Sequence, residues 1–210
     1  FVLAAIVFSS CNRNHVSLES TNAKGEVPQL GNLVFRFNKA LYPDSLLNNW
    51  DSTEYISFSP KIPGRFRWKG PDELVFSPSE PLLPATTYKG EVNKNILRFS
   101  KYDNIQDGDF KFSTAPLQLT DAQVMWVLED EGARKAVPQI TLQFNYPVKA
   151  DDIKDRLKIE VEGNPVHFQP ANIGVGSSFS VKLEQFKDED RNYDVRITLN
   201  KGLKPEKGLN

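Results

Sequence analysis

The sequence predicts an all-β chain made of two β-sandwich domains in tandem. Three observations carry that prediction. Residues 55–92 hold four short runs of alternating apolar and polar side chains: Ile56–Phe58, Phe66–Trp68, Leu74–Phe76 and Tyr88–Val92. Pro and Gly punctuate the junctions between them. A second stretch repeats the plan of the first about 107 residues later, as 140 − 33 for Ile140 against Leu33. Side chains on a strand point to opposite faces with period two, so Phe66 and Trp68 turn inward while Arg65, Arg67 and Lys69 turn outward. Several short strands at regular spacing with turn signals between them indicate a sandwich or a barrel.

The bulk numbers agree. With 210 residues the chain suits one large or two ordinary domains. At 39% hydrophobic and 11% aromatic it can bury a core. Fourteen Phe and fourteen Pro against one Met suit strands and stiff turns rather than long helices. Basic and acidic residues number 26 and 27 and are spread along the chain. No basic domain is set to track a phosphate backbone, so a nucleic-acid partner is not expected. The one cysteine, Cys11, can form neither an internal disulfide nor a thiolate metal cage.

The position of Cys11 gives it another use. Residues 1–10 (FVLAAIVFSS) are too short an apolar run to span a bilayer, which takes roughly 20 residues, and fit the apolar region of a signal peptide. The chain opens at Phe1 without Met or a basic segment, so residues 1–10 read as a signal-peptide remnant. Phe8-Ser-Ser-Cys11 resembles a bacterial lipobox, with Phe where Leu is more usual. That resemblance implies cleavage before Cys11 and acyl chains on it, an N-terminal lipid anchor in a bacterial membrane. Each buried CH₂ contributes ~0.8 kcal/mol to such an anchor. The other reading is a plain secretory signal with an incidental cysteine. Asn12 to Gly25 is polar, so 11–26 is expected to be a lipidated tether.

The first sandwich is expected over 27–115. Leu33–Phe37 puts Leu33, Phe35 and Phe37 on one strand face. Pro43–Trp50 reads as a turn or two of helix, capped by Asp44, with Leu46 and Trp50 on one side. The second sandwich, 116–210, repeats the pattern. Phe37-Asn38 falls on Phe144-Asn145, Asp44 on Asp151, Leu46 on Ile153, Trp50 on Leu157 and Asn93-Lys94 on Asn200-Lys201, all at 107. Ile56–Phe58 falls near Ile159–Val161 at 103 and Tyr88 near Tyr193 at 105. A near-constant offset across strand, short helix and strand indicates a duplicated unit. Strands matching the end of the first unit are not seen after Tyr193–Leu199. The second unit is therefore expected to be incomplete, and the chain to be the N-terminal part of a longer protein.

Catalytic signatures are sparse. His15 lies in the expected tether, and His167 alternates with Val166 and Phe168 so that it faces solvent. There is no Gly-x-Ser-x-Gly elbow and no His-Glu-x-x-His helix. Gly174–Phe179 (GVGSSF) lacks the third Gly and the Lys of a phosphate loop and reads as a hairpin turn. Asp107–Asp109, Glu129–Gly132 and Lys187–Arg191 are charged turns; weak Ca²⁺ binding through carboxylates is the other use of the first two, but neither has calcium-loop spacing and both read as solvated loops. No metal, cofactor or catalytic residue is expected. Arg65, Arg67 and Lys69 read as the solvated face of a protected edge strand, with an anionic partner or lipid headgroups near the anchor as the other use. Trp50, Trp68 and Trp126 sit in apolar patterns and read as core, with a carbohydrate platform as the other use.

Together, Phe35–Lys39, Ile56–Pro60, Gly64–Trp68, Leu74–Pro78 and Leu82–Tyr88 resemble the bacterial Ig-like module. The module stands at the N-terminus of bacterial α2-macroglobulin-like lipoproteins. The resemblance covers about 27–210 and is most specific over 33–92, with Ala40-Leu41 where a Pro is more usual. It implies tandem Ig-like (macroglobulin-like) β-sandwiches in a cell-envelope-anchored protease trap. In that family attacking proteases cut a bait region, and a Cys–Gln thioester in a distant domain can capture them. A companion peptidoglycan synthase is also implied. No Cys-x-x-Gln occurs here, so the resemblance assigns a scaffold role and no catalytic residue to this stretch. The other readings are a surface lipoprotein whose Ig-like repeats bind glycan or protein as an adhesin, and spacer domains of an enzyme.

Overall fold

A computed structural model describes residues 15–129, 132, 135–183 and 191–208. The chain is all-β and divides into two compact units. Unit 1 holds residues 15–82 and 87–113, and unit 2 holds 83–86 and the described residues from 114 onward.

Unit 1 is a two-sheet sandwich. Its strands are β1 (His15–Thr21), β2 (Gly25–Glu26), β3 (Leu33–Phe37), β4 (Trp50–Asp51), β5 (Ile56–Ser59), β6 (Gly64–Gly70), β7 (Glu73–Pro78), β8 (Thr87–Val92), β9 (Asn104–Gln106) and β10 (Asp109–Ser113). One sheet has the order β4-β6-β7-β3-β1-β9, the other β2-β10-β8-β5. The four alternating runs are β5 to β8. Each turns its large rings inward because only that face is shielded from water. Phe35, Phe37, Trp68, Phe76, Tyr88 and Phe112 are buried. Tyr42 stacks on Trp68 at 5.1 Å between centroids, Tyr55 meets its edge at 5.7 Å, and Tyr88 stacks on Phe112 at 5.1 Å.

Two expectations about unit 1 are corrected. Residues 11–26 are not a free tether from His15 on. His15–Thr21 is the fifth of six strands, Val16 is fully buried, and Ala23 is buried as well. The folded unit thus reaches back at least to His15 rather than beginning at Val27. Its polar sequence hid this, because β1 is held mainly by backbone bonds to β3 and β9. The helix expected at Pro43–Trp50 is a single 3₁₀ turn, Asp44–Leu46. Its N-cap is Pro43, and no side chain caps it. Leu46 and Trp50 are exposed, the latter in β4.

Unit 2 comprises β11 (Leu119–Leu128), β12 (Ala136–Lys149), the helix α1 (Ala150–Lys154), β13 (Leu157–Val161), β14 (Asn164–Pro165), β15 (Phe168–Pro170), β16 (Val175–Leu183) and β17 (Val195–Leu199). Its sheets are β11-β12-β16-β15 and β14-β13-β17. Ile140, Leu142, Ile153, Ile159, Phe179 and Val181 form the centre of its core. A two-residue turn, Glu162-Gly163, joins β13 to β14 with φ of 51° and 77°. Two positive φ values match the twist of a tight hairpin and favour Gly at the second place.

The duplication is visible in individual bonds. Asn38 accepts from the Ser17 N–H through its side-chain oxygen at 2.9 Å, and Asn145 accepts from the Gln118 N–H at 2.8 Å. Asn38 Nδ2 faces the His15 carbonyl at 3.5 Å, and Asn145 Nδ2 donates to the Pro116 carbonyl at 2.9 Å. A bulge interrupts β1 between Leu18 and Ser20 and β11 between Leu119 and Asp121. The Asn93 N–H bonds to the Tyr55 carbonyl as the Asn200 N–H bonds to that of Arg156. That pair moves Ile56 onto Leu157, two residues before Ile159. A shift of two keeps the same strand face inward.

Candidate functional site

An open groove of about 640 Å³ runs across β5, β8 and β10 of unit 1. Register fixes its lining. Phe58, Gly90 and Phe110 lie side by side across the three strands. Phe58 and Phe110 point into the sandwich: Phe58 is 4.9 Å from the Phe76 ring, and Phe110 is 5.2 Å from that of Phe35. Gly90 is needed between them, because a Cβ there would stand 2.1 Å from Phe110 Cζ. The flanking rows turn outward. Ser57, Glu91 and Asp109 form one row; Ser59, Lys89 and Lys111 form the next.

This places two carboxylates directly opposite each other, and two ammonium groups likewise. Like charges facing each other across strands destabilise a sheet. The arrangement offers an acidic stripe beside a basic stripe over an apolar floor. It can bind by ionic and apolar contact. Ser57 and Ser59 have no imidazole or thiol beside them among the lining residues, so no activated nucleophile is assembled there.

A second feature lies at the β4–β6 edge. Trp50, 43% exposed, stands under two guanidinium groups, with Arg67 at 4.7 Å and Arg65 at 5.7 Å from its ring. Trp50 pairs with Arg67 across the strands. The edge strand is thus β4, and β6 lies one place inside it. On the expected solvated face of Arg65, Arg67 and Lys69, the two guanidinium groups pack against the Trp50 ring. Arg67 Nε is buried without a hydrogen-bond partner. Lys69 instead reaches Glu73 at 3.5 Å, alongside the Arg36–Glu73 pair at 2.5 Å.

The next residue of β4, Asp51, accepts from the Tyr55 hydroxyl at 2.6 Å and from the backbone N–H and hydroxyl of Thr53, each at 2.8 Å. Burial works against its charge, but these bonds outweigh burial and hold its pKa below the usual carboxylate value. Tyr55 is pushed upward, first by burial and then by its bond to Asp51. The hydrogen bond from Arg36 holds Glu73 low against a smaller opposing effect of burial. These are fixed structural charges, each already partnered.

The remaining sequence candidates are scattered. Cys11, the lipidation candidate, lies outside the described residues, as do residues 130–131 of the acidic turn and most of Lys187–Arg191. His15 sits in β1 and His167 on an exposed connection between β14 and β15. Gly174, at φ 84°, starts the approach to β16 rather than a phosphate loop. Asp107 lies in the turn after β9, and Asp109, across Gly108, is the first residue of β10. Among the described residues no three His, Cys, Asp or Glu side chains converge as a metal site. Nor is any helix among them long and apolar enough to cross a membrane. Trp68 is core, whereas Trp50 and Trp126 are 43% and 49% exposed, against the expectation that all three pack inside. The groove itself was missed. Its only sequence signal is Gly90 in a strand otherwise filled with large side chains.

No protein-family model matches the chain. It is 25% identical over 112 residues to a protein described as alpha-2-macroglobulin from Rickettsia conorii (strain ATCC VR-613 / Malish 7). The similarity is to a bacterial α2-macroglobulin. It covers 53% of this chain and 6% of the relative's length. A solved L,D-transpeptidase from Mycobacterium tuberculosis H37Rv aligns over 80% of this chain and 76% of that one, at 10% identity and a TM-score of 0.33. At that score the likeness has no bearing on fold or function.

Proposed function

We propose that this chain is scaffold from the N-terminal region of an envelope-anchored α2-macroglobulin-like protease trap, held to a bacterial membrane through lipid on Cys11. The similarity over 112 residues to a bacterial α2-macroglobulin carries the reading. The tandem sandwiches support it, since a trap of that kind is an array of such modules. In this role the chain catalyses nothing. It spaces and orients the parts that meet proteases, with a peptidoglycan synthase as companion in the envelope.

The test uses the natural protein in its anchored form, mixed with a panel of endoproteases and run on denaturing and native gels. The trap predicts one discrete cut with altered native mobility, and a higher-mass conjugate where a thioester takes part. Ragged proteolysis, or none, overturns it. A second reading, a surface lipoprotein that binds glycan or protein, is favoured by Trp50, an exposed ring held flat under two arginines. Saturable retention on a glycan array, lost in Trp50→Ala, distinguishes it.

A further inference from the structure

The groove across β5, β8 and β10 lies wholly within unit 1. In the strand order β5-β8-β10 its acidic row is Ser57, Glu91 and Asp109, and its basic row is Ser59, Lys89 and Lys111. The rows stand two residues apart along every strand, with Gly90 on the line between them. Lys89, Glu91, Asp109 and Lys111 are exposed, and none of the four forms an ion pair with another described residue. Glu73, on β7 of the other sheet, differs: it meets both Arg36 and Lys69. Like charges opposite one another cost stability in an isolated sheet. A second surface that brings the opposite charges offsets that cost.

The order of the charges identifies the second surface. We propose that this face joins two copies of the chain about a two-fold axis running along the line of Phe58, Gly90 and Phe110. A half-turn about that axis sets the acidic row of each copy over the basic row of the other and keeps the strand order. Glu91 then meets Lys89 of the other copy, Asp109 meets Lys111, and Ser57 meets Ser59, each contact made twice. A half-turn about an axis along the strands would set like charge on like, so the charges choose between the two orientations. A two-fold interface uses one patch twice and needs that patch to complement itself. Sheets stacked face to face stand roughly 10 Å apart, a gap that a lysine and a carboxylate side chain span together. The floor between the rows takes the methylene stems of the facing lysines. The strands of the two copies run nearly in line, as in aligned sheet packing. The proposal rests on the charge order of unit 1 and stands apart from the protease-trap reading.

The test follows the intact chain by sedimentation as its concentration is raised. A monomer–dimer equilibrium is expected, weakened by added salt because exposed charges are screened. Lys89→Glu/Lys111→Glu makes the whole face acidic, and Glu91→Lys/Asp109→Lys makes it basic. Each variant alone should dimerise at least about tenfold more weakly, since like charges then face each other. Both should keep the circular dichroism of the parent, because all four positions are exposed. An equimolar mixture of the two should form a one-to-one heterodimer, which separates loss of charge matching from loss of fold.

A chain that stays monomeric at millimolar concentration overturns the proposal. Slow acylation of its Lys89 and Lys111 would then place another segment of the same chain on the face. A dimer that both variants keep also overturns it, since a different surface then forms the contact. So does a mixture of the two folded variants that fails to associate.

Discussion

The carboxylate of Asp51 gathers three hydrogen bonds from Thr53 and Tyr55, all within four residues of chain. Its folded pKa is depressed, as is that of Glu73 beside Arg36. A carboxyl with a depressed folded pKa adds stability above its unfolded pKa of about 4 and loses it as pH falls through the folded value. Melting temperature should therefore hold near neutral pH and drop below about pH 4. The double variant Asp51→Asn/Glu73→Gln should melt lower at pH 7 and show a shallower acid slope. Melts from pH 7 to 2.5 decide this, and an unchanged slope would mean both groups titrate alike in the folded and unfolded chain. Trp68, the largest fully buried side chain, gives a second residue-scale test. Trp68→Ala should cost ~3–5 kcal/mol in denaturant unfolding. Its burial was legible in the alternation of β6. The exposure of Trp50 was not, because four-residue spacing looks helical in sequence and the chain spends those residues on a 3₁₀ turn and a short edge strand.

Among elements, the asparagine clamps tie the start of each unit to its central strand. Asn38→Ala and Asn145→Ala should each lose about 1 kcal/mol, the usual net value of a hydrogen bond. Aspartate separates the two sites. It keeps the acceptor and removes the donor, so Asn145→Asp gives up a 2.9 Å bond while Asn38→Asp gives up a contact of 3.5 Å. The larger drop in melting temperature should fall on Asn145→Asp. Gly90→Ala should cost ~1–3 kcal/mol, since the Phe110 ring must shift to admit the methyl group. Strands β5 to β8 could be read from sequence because each alternates and each is bounded by Pro or Gly. β1 could not: HVSLEST has little apolar pattern, and its place depends on partners about 20 and 90 residues away.

For the whole molecule, the anchoring proposal has its own test. Cys11→Ser should move the protein from the membrane fraction to the soluble fraction, and retention of the variant on membranes would remove lipid as the anchor. The all-β class and the duplication were legible because periodicity and repeat offset are properties of the chain itself. The groove was not, because it exists only where β5, β8 and β10 come into register, and no local pattern announces that meeting. One consequence of the topology concerns force. In unit 1 the chain enters along β1 and β2 and leaves along β10, and the pairs β1–β9 and β2–β10 are parallel. Parallel ladders carry evenly spaced, slanted bonds. A pull between His15 and Ser113 slides such strands along each other instead of peeling them apart, so the bonds of each ladder bear the load together and must break together. Unit 1 is braced along the line on which tension in its own backbone would act.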